Sequence, residues 1–196
     1  MIVSGQRLGR SLIAGLFLAA SLGSAAAPAG ATAQAASEVP LPDGYRMSDY
    51  SAPVPERLPG ATTIDAARAA ALLAGGDAVF IDVIPTPPRP EDRTQWNPPT
   101  KSSLPTAHWL PNVGRGDIPA GTDAYYREQL RRLTGGDKTR ALVIFCKPNC
   151  WMSWNAAKRA LHYEYSEVYW FPGGTAAWRE AGHELERVAP VGEIPR

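Results

Sequence analysis

Residues 142–151 read Leu142-Val143-Ile144-Phe145-Cys146-Lys147-Pro148-Asn149-Cys150-Trp151. Four consecutive apolar residues predict a short strand covered on both faces, the signature of a parallel sheet rather than of a half-exposed antiparallel one. Cys146 stands at the carboxyl end of that strand. A brief loop then leads into residues 151–161, where alanines at 156, 157 and 160 permit a helix to pack closely on a sheet. The unit is therefore strand, loop, helix, with a cysteine at each end of the loop.

Outward from this unit the same alternation recurs. Val168-Tyr169-Trp170-Phe171 predicts another strand, followed by the turn Pro172-Gly173-Gly174 and a short helix through Trp178. Upstream, residues 78–83 (Ala-Val-Phe-Ile-Asp-Val) form an apolar run bounded by glycine and proline, with Asp82 near its carboxyl end. An alanine-rich helix over residues 65–74 precedes it, with capping-box-like spacing at Thr62 and Asp65 and a stop at Gly75-Gly76. Residues 107–110 predict a short strand, and Thr122 is placed to cap a helix whose Tyr126, Leu130 and Leu133 share one face. Strands alternating with helices specify an α/β domain around a small, mostly parallel central sheet. Between them, residues 85–105 hold seven prolines and little apolar periodicity, the mark of a long irregular connection.

The chain has 196 residues, 20 Lys or Arg against 19 Asp or Glu, and a formal charge of +1. Such a balance speaks against nucleic acid or an anionic membrane surface as the main partner. Arg7 and Arg10 precede an uncharged run over residues 11–22 and then a small-residue stretch ending in Ala33-Gln34-Ala35. That is the pattern of a secretory signal peptide, too short for a spanning helix, and it predicts an exported, periplasmic product without stable membrane insertion after cleavage. Residues 36–61 carry five prolines and predict an extended arm, with Tyr45, Met47 and Tyr50 as anchoring side chains. Residues 62–187 hold the organised domain, and residues 188–196 form a tail.

In parallel sheets, ligands bind beyond the carboxyl ends of the strands, where loop amides and helix N-termini converge. Cys146 is predicted at such a point, where a thiolate is favoured, and Lys147 adds a nearby cation. Cys146 and Cys150 are four residues apart; a helix-like turn of that length rises about 6 Å, within disulfide reach, with Pro148 and Asn149 helping the chain turn. The pair is thus either bonded or chemically active. No metal is expected, because His108, His162 and His183 show no ligand spacing. Trp151 and Trp154, one helical turn apart, form either an aromatic wall or ordinary helix–sheet packing. Ser153 reads as a local hydrogen-bonding residue, and Asp82 as a group that orients the loop. Arg89, Arg93 and Lys101 either bring positive charge over the cleft or are solvated surface charges.

Four segments together resemble rhodanese-like domains: Val79-Phe80-Ile81-Asp82-Val83, Leu104-Pro105-Thr106-Ala107-His108-Trp109-Leu110-Pro111, Val143-Ile144-Phe145-Cys146, and Phe171-Pro172-Gly173-Gly174 with Ala177-Trp178 and Ala181-Gly182. Gly44-Tyr45-Arg46-Met47, the prolines of 85–90, Trp109-Leu110-Pro111-Asn112-Val113-Gly114 and the run from Cys150-Trp151 to Ala160 resemble one exported branch, the CXXCW-motif proteins associated with PQQ-dependent catabolism. The wider resemblance implies a rhodanese-like fold in which Cys146 accepts a sulfane sulfur as a persulfide. The narrower one implies no covalently bound cofactor, a functional association with PQQ-dependent enzymes, and a periplasmic quinoprotein dehydrogenase or cytochrome as partner. The loop departs from the family's common pattern, since Asn149 and Cys150 replace its usual small and polar residues, bulky Trp151 follows, the usual arginine–serine pair is missing, and Ile84 stands where many members place arginine. A related phosphatase variant needs arginine six positions after the cysteine; here that residue is Met152.

Three functions follow as expectations. The first is sulfur transfer through Cys146, from a small sulfur donor to a thiol acceptor that Cys150 itself could supply. The second is thiol–disulfide exchange by Cys146 and Cys150. The third is a non-catalytic accessory role beside a quinoprotein dehydrogenase. Lys147, Asn149, Trp151, Ser153 and Asp82 are expected to bind substrate or support the loop.

Overall fold

The computed structural model describes residues 39–87 and 99–194. The expected signal peptide, together with Arg89 and Arg93, lies outside them. A five-stranded, wholly parallel sheet has the order β1-β6-β5-β2-β4. Its strands are β1 (Thr62–Thr63), β2 (Val79–Asp82), β4 (His108–Trp109), β5 (Leu142–Phe145) and β6 (Val168–Phe171). Helices α1 (Ala66–Gly75), α2 (Ala120–Thr134), α3 (Trp151–His162) and α4 (Gly174–Glu180) complete the α/β domain, with β3 (Lys101–Ser103) and β7 (Glu186–Val188) forming a separate antiparallel pair.

Every residue of β2 and β5 is buried, as continuous apolar runs require when helices cover both faces. Alternation along the strands divides the core in two. Val79, Ile81, Leu142, Ile144 and Trp170 pack with Tyr126 and Leu130 of α2 and Trp154 and Ala157 of α3. Phe80, Val143, Phe145 and Phe171 pack with Ala69 of α1 and Trp178 of α4. Cys146 continues the even-numbered parity of β5 and belongs to the α2/α3 side.

Several local readings are corrected. Thr62 is in a strand rather than a cap; Asp65 alone caps α1, its carboxylate accepting from the Arg68 amide at 2.8 Å. The N-cap of α2 is Pro119, and Thr122 lies buried inside the first turn without capping it. The connection over 85–105 is not wholly irregular: Lys101–Ser103 pairs antiparallel with the distant Glu186–Val188, Lys101 opposite Val188 at one end and Ser103 opposite Glu186 at the other. Beyond β7 the chain stays on the domain. The Val191 amide donates to Trp109 at 3.0 Å, Tyr125 donates to the Val191 carbonyl at 2.6 Å, and Ile194 is buried.

The proline-rich arm is extended and docked. Asn155, fully buried in α3, grips it from both sides: its Oδ1 accepts from the Arg46 amide at 2.9 Å, while Nδ2 donates to the Arg46 carbonyl at 2.8 Å and to the Gly114 carbonyl at 2.9 Å. Lys158 donates to the Gly44 carbonyl, Tyr45 bonds His162, and Tyr50 donates to the Met47 carbonyl while accepting from the Gly116 amide. Tyr45 and Tyr50 thus anchor the arm, whereas Met47 is 60% exposed.

Candidate active site

Strand register fixes where the cysteines lie. Asp82, Phe145 and Phe171 are aligned across β2, β5 and β6, so Cys146 is the first residue past the carboxyl edge of the central strand. Its carbonyl accepts from the Thr175 amide at 3.2 Å, and a Cβ at Gly174 would fall 2.1 Å from that oxygen. Gly174 also has a φ of +49°, a conformation that glycine adopts freely. The Pro172-Gly173-Gly174 turn therefore lies directly against the cysteine's backbone.

From Cys146 the loop turns through Lys147, Pro148 and Asn149, all exposed, to Cys150. Asn149 takes a left-handed φ of +53°, which asparagine tolerates better than most residues, and this turns the chain back. Cys150 is the N-cap of α3 and is joined to Cys146 by a disulfide with a Cα separation of 6.3 Å. Cys146 is fully enclosed and Cys150 is 3% exposed. The helix start is braced by Ser153, whose hydroxyl donates to the Cys150 carbonyl at 3.0 Å and accepts from Trp170 Nε1 at 3.0 Å. Ser153 is buried and acts as the local hydrogen-bonding residue expected of it.

The arm reaches the same place. Ser51 forms an antiparallel bridge with Cys150, and the Trp151 amide donates to the Tyr50 carbonyl at 2.9 Å. That amide belongs to the first turn of α3, whose donors otherwise point toward the loop. Trp151 is buried, meets Trp154 edge-on at 5.5 Å between ring centres, and lies 5.3 Å from the Arg46 guanidinium. Trp154 donates to the Arg57 carbonyl at 3.3 Å. The two tryptophans pack α3 against the arm and core; neither lines the open cleft.

That cleft, about 450 Å³, is bounded by Tyr50 and Ser51 of the arm, Arg115 of the β4–α2 loop, and Lys147, Cys150 and Met152. Lys147 is thus brought to the site. Asp82 serves a different contact: its carboxylate accepts from the Ile84 amide at 2.9 Å, from Ser103 at 2.5 Å and from Lys101. Burial holds its carboxyl above the ordinary aspartate range, with Lys101 and those hydrogen bonds opposing the shift. Asp82 therefore ties β2 to β3, and among the described residues none of its hydrogen bonds reaches the cysteine loop. Lys101, expected over the cleft or in solvent, is instead this carboxylate's ion-pair partner and stands 5.2 Å from the Trp109 ring centre.

Sequence reasoning missed Asn155 and Arg115. Asn155 carries a signal in retrospect, as an amide among tryptophans and alanines; Arg115 carries none, since its place depends on the β4–α2 loop. Gly114 is equally required, because a Cβ there would lie 2.1 Å from the Met152 carbonyl.

Comparison with solved structures finds similar chains at low identity. The thiosulfate sulfurtransferase of Pseudomonas aeruginosa is 20% identical over 64% of this chain, with a TM-score of 0.45. This chain spans 20% of that enzyme's length. A protein from Bacillus halodurans is 20% identical over 64% of this chain and 77% of its own, with a TM-score of 0.44. The polysulfide-sulfur transferase homodimer of Wolinella succinogenes is 20% identical over 65% of this chain and 79% of its own, with a TM-score of 0.42. No curated protein matches the chain. The family model for the rhodanese-like domain matches residues 65–181, which hold β2, β4, β5 and β6 of the parallel sheet, the cysteine loop and all four helices, and the chain belongs to the rhodanese-like domain family.

Proposed function

We propose that this chain is an exported, periplasmic sulfurtransferase in which Cys146 takes up a sulfane sulfur and Cys150 closes the cycle, working beside PQQ-dependent oxidation with a quinoprotein dehydrogenase or cytochrome as partner. The observation that carries the chemistry is the placement of Cys146 at the carboxyl edge of β5, bonded to the N-cap of α3. The signal-like N-terminus and the CXXCW resemblance support the cellular setting.

The cycle balances as follows. A thiol reductant first opens the Cys146–Cys150 bond, supplying two electrons and two protons. The Cys146 thiolate attacks the outer sulfur of a donor such as thiosulfate; the donor's S–S bond breaks, sulfite leaves with the electron pair, and Cys146 holds a persulfide. Cys150 then attacks the Cys146 sulfur, its thiol proton leaves with the outer sulfur as hydrosulfide, and the disulfide forms again. Loop amides and the α3 terminus favour the anionic intermediate. The bonded pair in the structure corresponds to the end of this cycle.

A second reading, thiol–disulfide exchange without sulfane sulfur, is favoured by the closed disulfide together with the engagement of the Trp151 amide by Tyr50. Intact mass separates the two. The reduced protein incubated with thiosulfate should pass through a form about 32 Da heavier before the disulfide closes again, and Cys146→Ser should not. Under the first reading Cys150→Ser accumulates the adduct because its resolving thiol is gone. Return of the wild type to a mass about 2 Da below the reduced form, with no adduct in Cys150→Ser, overturns sulfur transfer in favour of exchange.

A further inference from the structure

We propose that Cys150, not Cys146, is the sulfur that an external thiol attacks, and that the cleft beside it selects a small anionic thiol. This rests on the reading of the cysteine pair as the reactive centre. Nucleophilic opening of a disulfide needs access to one sulfur, with the other leaving in line with the attack. The cleft of about 450 Å³ is lined by Cys150 and not by Cys146, which is fully enclosed at the strand edge. Order along the chain suggests the reverse, with Cys146 meeting the outside and Cys150 behind it; the fold inverts that order because the arm and the β4–α2 loop leave their opening at the helix end of the bond.

The charges around the opening are asymmetric. Arg115 and Lys147 are both exposed, and neither has a carboxylate partner among the described residues. Among the described residues the one carboxylate on the cleft, Asp49, faces Arg46 at 3.5 Å and accepts from the Ser48 hydroxyl at 3.4 Å. Two cations from different elements thus flank the cleft that Cys150 lines, and the nearby anion is paired with Arg46 at the surface. A thiol carrying a carboxylate or sulfonate is drawn to such a cleft, and a cationic one is repelled. Its volume lies within the range that holds small ligands.

The step conserves atoms and electrons. The thiolate RS⁻ attacks Sγ of Cys150, the Cys146–Cys150 bond breaks, RS–S–Cys150 forms, and the electron pair leaves on Cys146, which takes a proton from solvent. A second RS⁻ attacks the R sulfur of the mixed disulfide, releasing RSSR and the Cys150 thiolate. Two thiols are oxidised and one protein disulfide is reduced.

The test uses the intact oxidised chain and three small thiols of different charge: 2-mercaptoethanesulfonate, 2-mercaptoethanol and cysteamine, with rates corrected for thiolate fraction. The sulfonate should react fastest and cysteamine slowest, the spread narrowing with added salt. Arg115→Gln and Lys147→Gln should each slow the sulfonate about threefold while leaving 2-mercaptoethanol nearly unchanged. A brief pulse, acid quench and alkylation with iodoacetamide should place the sulfonate adduct on Cys150 and the carbamidomethyl group on Cys146. Equal rates for the three thiols, or an adduct on Cys146, would overturn this inference alone. A native disulfide that none of the three reduces would remove the reactive-pair reading itself.

Discussion

Asn155→Ala tests whether the arm is held to the domain by the contacts assigned to it. The substitution deletes three hydrogen bonds of 2.8–2.9 Å from a side chain with no solvent exposure. At a net value of about 1 kcal/mol each, the loss is about 3 kcal/mol if the arm stays in place with its groups unpaired. If residue 46 peels away, water satisfies the freed Arg46 amide and carbonyl, leaving the Gly114 carbonyl as the main buried loss and lowering the cost to about 2 kcal/mol. With a urea m-value of about 2 kcal/mol/M, either case moves the unfolding midpoint down by about 1–1.5 M. The arm should also become the first site of native-state proteolysis, between residues 43 and 52, before global unfolding. Asn155→Asp should do no better, since it keeps one acceptor, loses both donors and buries a charge. A midpoint change corresponding to less than about 0.5 kcal/mol, with the arm still protected, would refute the assignment.

Gly174→Ala should cost at least about 3 kcal/mol, because the new Cβ meets the Cys146 carbonyl and the residue must keep a left-handed φ; a thermal midpoint within a few degrees of wild type would contradict it. Lys101→Met leaves the Asp82 carboxylate buried without its cation and should destabilise by about 3–5 kcal/mol near neutral pH, read by urea unfolding. The pH dependence follows from the sign of the shift. Burial raises the folded pKa of Asp82 above its unfolded value, so its contribution is most favourable below the unfolded value and declines as pH rises through the folded one. Lys101→Met raises the folded value further, so acidification should recover part of the lost stability in the variant relative to wild type; a deficit independent of pH would show that Asp82 is not the group responsible.

What could be read in advance tracks how local each determinant is. Strands β5 and β6 were legible to the residue because each is an apolar run closed by a loop or a proline–glycine turn, and both are covered on two faces. The start of α3 was legible because the stretch from Trp151, with its alanines at 156, 157 and 160, follows directly on the loop. Strands β3 and β7 were not: Lys-Ser-Ser and Glu-Arg-Val have no apolar alternation, and each exists only through a partner distant in sequence. Asp82 was recognised as a polar residue at a strand end, but its partners come from that unread β3. Asn155 escaped for another reason. Nearly the whole of α3 is buried, Lys158 being the exception up to Ala160, so hydrophobic periodicity contains no polar face against which a buried amide stands out. The cysteine pair was legible as within bonding reach, while the direction from which it opens was not, because Arg115 and the arm lie far from it in sequence.

The arm and the disulfide make competing claims on one helix terminus. A helix leaves about four amides without internal partners at its start. In α3 the Trp151 amide is taken by the Tyr50 carbonyl and that of Ser153 by the Cys150 carbonyl, while Pro148 supplies none to the loop before it. A persulfide on Cys146 would therefore meet fewer free donors than the loop's length implies, as long as Tyr50 stays seated. Cys150 is bonded to Cys146 and bridged to Ser51, so reduction loosens the residue to which the arm is paired. Opening the disulfide and freeing the amide are thereby linked through adjacent residues, and under the proposed sulfur transfer the order is reduction first, withdrawal of Tyr50 second, and sulfur uptake third. A chain whose arm is loosened by Asn155→Ala should accordingly form the Cys146 adduct faster after reduction than wild type, and an unchanged rate would show that the Tyr50 contact does not limit the chemistry.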